Sequence, residues 1–158
     1  MKKFVIQGIV LLVVLFGALM LSFGKVDLPF IPQIPKSSTL LINNNQINID
    51  VADNQSKRAL GLSGRESLAT DSGMLFLFDT PKKYQFWMKG MKFPLDFIWI
   101  RNKKVVDVLE KIPSPTEEQK DETLPVYESI VDIDSVLEVN SGYVNAHNIK
   151  VGDSIEFK

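Results

Sequence analysis

The chain has 158 residues, no cysteine and only one histidine. The lack of cysteine excludes disulfides, a thiolate nucleophile, zinc–cysteine clusters and a lipoprotein modification site. A lone histidine, His147, is more typical of a packing residue than of a metal ligand. The 18 lysines and arginines stand against 19 acidic residues, so the net charge of −1 offers no excess positive charge for nucleic-acid binding. We therefore expect no metal, no cofactor and no nucleic acid among the ligands.

The longest uncharged run, FVIQGIVLLVVLFGALMLSF, occupies residues 4–23. As a helix it would span about 30 Å, the thickness of the hydrocarbon core of a bilayer. Lys2 and Lys3, in the N-terminal residues 1–3, favour a cytoplasmic N-terminus and a domain on the outer face of the membrane. We therefore expect a single transmembrane anchor. The alternatives are a cleaved signal peptide, with residues 22–24 as a poor cleavage site and a secreted product, and a buried soluble helix.

Residues 24–39, GKVDLPFIPQIPKSST, contain three prolines followed by three hydroxyl residues. This composition predicts an extended tether that holds a domain clear of the membrane. The alternative is that Phe30 and Ile31 pack onto the domain. The domain itself is expected at residues 40–158.

Short strand-like runs dominate residues 40–158. They are LLIN (40–43), QINIDVA (46–52), MLFLF (74–78), YQFWM (84–88), LDFIWI (95–100), VVDVLE (105–110), SVLEVN (135–140) and SIEFK (154–158). Two short helices are predicted, one at 54–60 capped by Asp53 and ended by Gly61, the other at 141–147 capped by Ser141. The pattern predicts a mainly β fold with one or two short helices, arranged as a small barrel or sandwich.

Pairing can also be predicted for two hairpins. An Asn-Asn turn joins the first two runs. The RNKK turn at 101–104 would set Trp99 opposite Val106 and Asp96 opposite Leu109.

The order of these motifs resembles a widespread bacterial and archaeal family, domain of unknown function 192. The motifs are KRALGLSGRESL (57–68), GMLFLF (73–78), FWMKGMKFPLDFIWI (86–100), VLEVNSG (136–142) and IKVGD (149–153). The resemblance covers nearly all of residues 40–158 and implies a compact β-rich domain, often exported or membrane-anchored. It implies no particular activity. Lys89-Gly90-Met91 replaces the commoner Lys-Asn-Thr, so no role of that asparagine is carried over.

Alternation along residues 84–89 separates two faces. In an extended chain Tyr84, Phe86 and Met88 lie on one side, and Gln85, Trp87 and Lys89 on the other. The first set is typical of a core. The second offers an indole, an amide and an ammonium, which suit a sugar ring, a planar ligand or an aromatic side chain of a partner. The alternative is that Trp87 covers one end of the barrel, with Lys89 laid along it.

We expect a ligand-binding site formed by Arg58, Arg65, Trp87, Lys89 and Asp96. The two arginines flank the first predicted helix and its glycine-rich exit, where guanidinium groups can bind a carboxylate or phosphate. Alternatively, they pair with Asp96 or Glu110 and fix the helix to the sheet. The closeness of the five residues is implied by the family pattern.

The function that these features favour is a membrane-anchored, extracytoplasmic binding module for a small anionic or carbohydrate-like ligand, and we do not expect an enzyme. Two alternatives stay open. One is a protein-interaction or scaffolding domain of the cell envelope with residues 86–97 as its contact edge. The other is a hydrolase that uses Asp96 or Glu110.

Charge is segregated along the domain. Residues 82–104 hold seven basic side chains against Asp96, and residues 105–138 hold ten acidic ones against two lysines. Cross-strand attraction is the simplest explanation, and a basic face for an acidic polymer is the alternative.

Overall fold

The computed structural model describes residues 37–158. Its elements are β1 (Ser37–Ile42), β2 (Asn45–Ala52), α1 (Gln55–Leu60), β3 (Ser72–Lys82), β4 (Gln85–Phe86), β5 (Leu95–Arg101), β6 (Lys104–Ile112), a 3₁₀ helix (Asp121–Thr123), β7 (Tyr127–Glu128), β8 (Ile133–Asn140), α2 (Tyr143–Ala146) and β9 (Ile155–Phe157). The predicted mainly β fold with short helices is thus confirmed. The predicted transmembrane helix at 4–23 lies outside the described residues. Within residues 37–158, no helix combines the length and apolar character required to cross a membrane.

Seven strands form one curled sheet in the order β6-β5-β8-β3-β2-β1-β9, and β4 pairs with β7 in a small second sheet. In the large sheet β2 and β3 run parallel, with α1 between them in the chain, and the other pairs are antiparallel. The two edge strands meet at one corner, where Lys104 bridges to Ser154. The backbone amide of Val105 also donates to the carbonyl of Asp153, at 2.9 Å. The sheet is therefore a half-barrel, which confirms the barrel prediction in its coarse form.

Both predicted hairpin turns are present, the first of them one residue earlier than predicted, because the runs 40–43 and 46–52 had left residues 44–45 for the turn. Asn43 and Asn44 have φ values of 50° and 64°, and Asn102 and Lys103 have φ values of 51° and 59°. Positive φ at both central residues is the geometry of the tight turn that suits the twist of a hairpin. Asparagine tolerates this left-handed region better than most residues, which explains its presence in both turns.

The predicted register of the second hairpin is wrong. Trp99 pairs with Asp107, and Phe97 rather than Asp96 pairs with Leu109. The register shifts at two positions of the β5–β6 pair, and Lys111 on β6 has a φ of 56°. Such bulges insert extra residues into one strand, so counting outward from the turn gives the wrong partners.

Both faces of the half-barrel are covered. Inside the curl, an aliphatic cluster gathers residues of seven strands, including Leu40, Ile98 and Leu137. On the outer face a second, aromatic-rich cluster includes Leu62, Met88, Met91, Phe97 and Trp99. Phe86 packs edge-to-face against Phe76, Phe97 and Trp99, with ring centroids 5.2, 5.8 and 5.4 Å away. The chain from α1 to β5 thus forms a layer over the outer face.

Candidate functional site

A small cleft opens in this outer layer, between the exit of α1 and the segment around β4. Its volume is about 100 Å³, and its lining includes Arg58, Phe76, Trp87, Lys89, Met91 and Glu138. We call it the Glu138 cleft, after the residue on its floor. The predicted alternation is confirmed here, because Met88 is buried, Tyr84 and Phe86 are half-buried, and Gln85, Trp87 and Lys89 are exposed.

Two glycines hold the walls of the cleft in place. Gly61 ends α1 with φ 53° and ψ −138°, a conformation essentially restricted to glycine. Gly90 has a φ of 68°, and a Cβ there would overlap the hydroxyl of Ser63. The amide of Gly64 donates to the carbonyl of Gly90 at 2.9 Å, which joins the two walls directly.

We predict that Gly90→Ala destabilises the domain by about 1–2 kcal/mol, because alanine is strained at positive φ and Ser63 must move aside. Urea unfolding measures this loss. Gly152→Ala is the matched control, since its φ is also positive, at 99°, but nothing lies within 4 Å of the added Cβ. An equal loss in both variants would show that the contact with Ser63 contributes nothing.

Glu138 forms the floor of the cleft. It lies on β8 between Met74 on β3 and Phe97 on β5, and only 5% of its surface is exposed. Within residues 37–158 its carboxyl forms no ion pair, and burial alone raises its pKa from 4.5 to about 8. At neutral pH the side chain is therefore mainly a neutral carboxylic acid, which can donate one hydrogen bond.

Two cations and an indole form the rim. Arg58 donates through Nη1 to the carbonyl of Leu77 at 2.7 Å. Lys89 Nζ lies 2.7 Å from Asp121 Oδ2 and 5.6 Å from the centroid of the Trp87 ring. The hydrogen bond that Lys89 donates to the Asp121 carboxylate raises the pKa of Lys89. The side chain of Trp87 is 55% exposed. The Lys89–Asp121 pair also connects the basic segment of the chain to the acidic loop.

An apolar depression adjoins the cleft. Its volume is about 220 Å³ and it is lined by Gln85, Phe86, Trp87 and Val126. Gln85, Phe86 and Trp87 line both spaces, so the polar cleft and the apolar depression share the wall that these residues form.

The model of the family DUF192, described as "Uncharacterized ACR", matches residues 38–157. The chain belongs to the DUF192 family. No curated protein matches it.

Two crystal structures resemble this DUF192 domain. One is a candidate transcription regulator from Sinorhizobium meliloti 1021, with 26% identity and a TM-score of 0.66, covering 77% of this chain and 92% of its own. The other is a protein of unknown function from Novosphingobium aromaticivorans DSM 12444, with 24% identity and a TM-score of 0.65, covering 76% of this chain and 83% of its own. The second structure, at 24% identity, shows only that the two proteins share a fold.

The DUF192 domain brings together three of the five expected site residues. Arg58, Trp87 and Lys89 line the Glu138 cleft. Arg65 is outside it and forms an ion pair with Asp50 at 2.8 Å. The expected arginine pairs with Asp96 or Glu110 do not occur among residues 37–158.

Asp96 lies on the opposite face of the sheet from Glu138. It is completely buried, and its two carboxylate oxygens accept hydrogen bonds from the amides of Lys111 at 2.8 Å and Val144 at 3.0 Å. Val144 is in the first turn of α2, whose N-cap, Gly142, has no side chain. Asp96 therefore supplies from β5 the capping oxygen that we had expected from Ser141.

Glu138 was missed in the sequence because it alternates with apolar neighbours, as a solvent-facing residue does. The other residues of β8 carried the sequence signal that could have revealed the burial of Glu138. Ile133, Val136, Leu137 and Val139 are apolar on both faces, which is typical of a strand buried on both sides. A glutamate in such a strand is expected to be buried too. No group of three or more His, Asp or Glu side chains able to hold a metal occurs in residues 37–158.

Proposed function

We propose that this DUF192 domain is a membrane-tethered, extracytoplasmic binding module for a small anionic or carbohydrate-like ligand, which occupies the Glu138 cleft. The observation that carries the proposal is the exposed indole of Trp87 beside Lys89 and Arg58, above a buried acid that has no salt-bridge partner among residues 37–158. An exposed aromatic face binds sugar rings or planar groups, and the cations favour negative charge.

The location of the module rests on the apolar run at residues 4–23 and on Lys2 and Lys3. Extraction of membranes with alkaline carbonate, followed by protease treatment of intact cells, tests it. A retained and cleavable domain supports the proposed anchor and orientation. Recovery of the full chain in the soluble fraction would contradict them.

A scaffolding function in the cell envelope is the second candidate. Its support is the exposure of apolar side chains at the same surface, with Trp87 and Val126 each 55% exposed and Leu60 67% exposed. The hydrolase alternative has less support, because Asp96 is completely buried whereas Glu110 is exposed. We do not extend transcriptional regulation to this chain, because its net charge of −1 gives no electrostatic basis for binding DNA.

We predict that Trp87→Ala abolishes ligand binding while changing the free energy of unfolding by less than about 1 kcal/mol, as is usual for an exposed side chain. The measurement is thermal unfolding of the full chain against glycans and anionic metabolites. A ligand present at 100 times its Kd adds about 2.7 kcal/mol of stability to a competent binding site. Phe157→Ala, an exposed aromatic on β9, is the control and should keep the ligand response. An equal response in wild type and Trp87→Ala would rule out this site.

A further inference from the structure

The Glu138 cleft and the apolar depression beside it differ in size and chemistry. The cleft, of about 100 Å³, has two cations at its rim and the protonated carboxyl of Glu138 on its floor. The depression, of about 220 Å³, has Phe86, Trp87 and Val126 in its lining. A cavity of about 150 Å³ holds one benzene ring, so the cleft, at about 100 Å³, admits a polar group smaller than a ring, whereas the depression is large enough for a ring. A ligand that fills both spaces must have a small polar head and a larger apolar or ring-shaped body.

Glu138, on the floor of the cleft, determines which polar head of a ligand binds best. A protonated carboxyl offers one O–H donor, and the Glu138 carboxyl has no side-chain hydrogen bond among residues 37–158. A carboxylate is a better acceptor for that proton than a neutral oxygen, because an O–H···O⁻ bond is about twice as strong as a neutral one. Arg58, which has no carboxylate partner among residues 37–158, balances the added negative charge, and Lys89 contributes alongside its partner Asp121.

We propose that the Glu138 cleft binds the carboxylate head of a ligand whose ring lies across Trp87 toward Val126, with the Glu138 carboxyl donating a hydrogen bond to that head. The ligand class is a carboxylate attached to a ring, either an acidic sugar or an aromatic acid. This inference rests on the proposed function and names the chemistry of its ligand.

The affinity of the cleft for a carboxylate is expected to depend on pH. The charged side chains that line the cleft with Glu138 are Arg58 from α1 and Lys89 from the segment after β4, with Asp121 behind Lys89. A guanidinium does not titrate near neutral pH, and the pKa of Lys89 is raised above 10.5. Glu138 is therefore the group in the cleft that loses its proton near pH 8. Above that pH two carboxylates would face each other, so affinity falls by about tenfold per pH unit.

Fluorescence quenching of Trp87 in the full chain provides the test, because the other tryptophan, Trp99, is completely buried. The probes are two matched pairs, glucuronate with glucose and benzoate with benzamide. At about pH 6.5 at least one acid should bind tenfold or more tightly than its neutral partner. That preference should decline at about pH 9.5. The pair that shows the preference distinguishes a sugar acid from an aromatic acid.

Substitutions distinguish the contribution of Glu138 to binding from that of the other residues of the site. Glu138→Gln retains an N–H donor and should bind the acid with no loss at high pH, whereas Glu138→Ala should lose the preference for acids. Glu110→Gln, at an exposed position on β6, is the matched control and should behave as wild type. Val126→Ala should weaken acid and neutral probes alike.

The outcomes distinguish the two proposals. If glucose or benzamide quenches Trp87 as strongly as the acids do, the cleft is a binding site but the carboxylate inference is overturned. The same holds if Glu138→Gln keeps the pH profile of wild type. If none of the four probes quenches Trp87 or raises the unfolding temperature, the small-ligand function fails together with the inference.

Discussion

Replacement of Asp96 by alanine is expected to lower the free energy of unfolding by about 3–5 kcal/mol, because it leaves one buried and one part-buried amide unpaired at about 1–3 kcal/mol each. Those amides belong to Lys111 in β6 and Val144 in α2. The carboxylate therefore connects the β5–β6 hairpin to the helix that follows β8. Its loss removes the only capping oxygen found for α2 within residues 37–158.

Urea unfolding followed by circular dichroism measures this effect. Asp96→Asn retains one acceptor oxygen and should lose about half as much stability. Asp50→Ala is the matched control, since it removes a half-exposed carboxylate that pairs with Arg65 and should cost less than about 1 kcal/mol. If Asp96→Ala is as stable as Asp50→Ala, the assignment of Asp96 to a capping role is wrong.

Features encoded in a few neighbouring residues could be predicted from the sequence. The first hairpin turn, predicted to within one residue, the end of α1 at Gly61 and the alternation along residues 84–89 each depend on backbone preferences or side-chain periodicity. Tyr84 to Lys89 follow the predicted faces even though only Gln85–Phe86 form a regular strand. Extended backbone alternates its side chains whether or not it is paired, so the prediction did not need the strand to be long.

The candidate site needed information that neighbouring residues do not carry. The layer that folds over the outer face of β8 determines whether that face is exposed to solvent or buried. Leu62, Met88 and Met91 belong to that layer and are far from Glu138 in the sequence. The burial of Asp96 likewise depends on α2 packing onto the inner face of β5. Its partners were predicted to be arginines because a buried carboxylate needs compensation. Backbone amides supplied that compensation instead, and the β6 bulge presented one of them.

Glu138 is costly where it lies, and that cost indicates a role beyond packing. A buried carboxyl without a salt bridge stabilises the fold less than a well-packed apolar side chain would. Glutamine at this position would keep the shape without the charge. The dependence of the free energy of unfolding on pH measures how much stability the fold loses by burying this carboxyl.

We expect the wild type to lose stability as the pH rises from about 4.5 to about 8, and Glu138→Gln to lose none of that amount. Between those values the folded state keeps the proton on Glu138 while the unfolded state has released it, because the folded pKa is about 8 against 4.5. The unfolded state then binds fewer protons, so the free energy of unfolding falls by up to about 1.4 kcal/mol per pH unit. Over the whole window this amounts to at most about 5 kcal/mol.

The wild type and Glu138→Gln should therefore have similar stabilities near pH 4.5. They should differ most at pH 8 and above, where Glu138→Gln is the more stable. Urea unfolding at several pH values between about 4.5 and 9 measures the difference. Glu110→Gln again serves as the control, because an exposed glutamate should leave the wild-type curve unchanged. Parallel curves for wild type and Glu138→Gln would mean that Glu138 is ionised and solvated in the folded protein. The cleft floor would then repel a carboxylate head instead of donating a hydrogen bond to it.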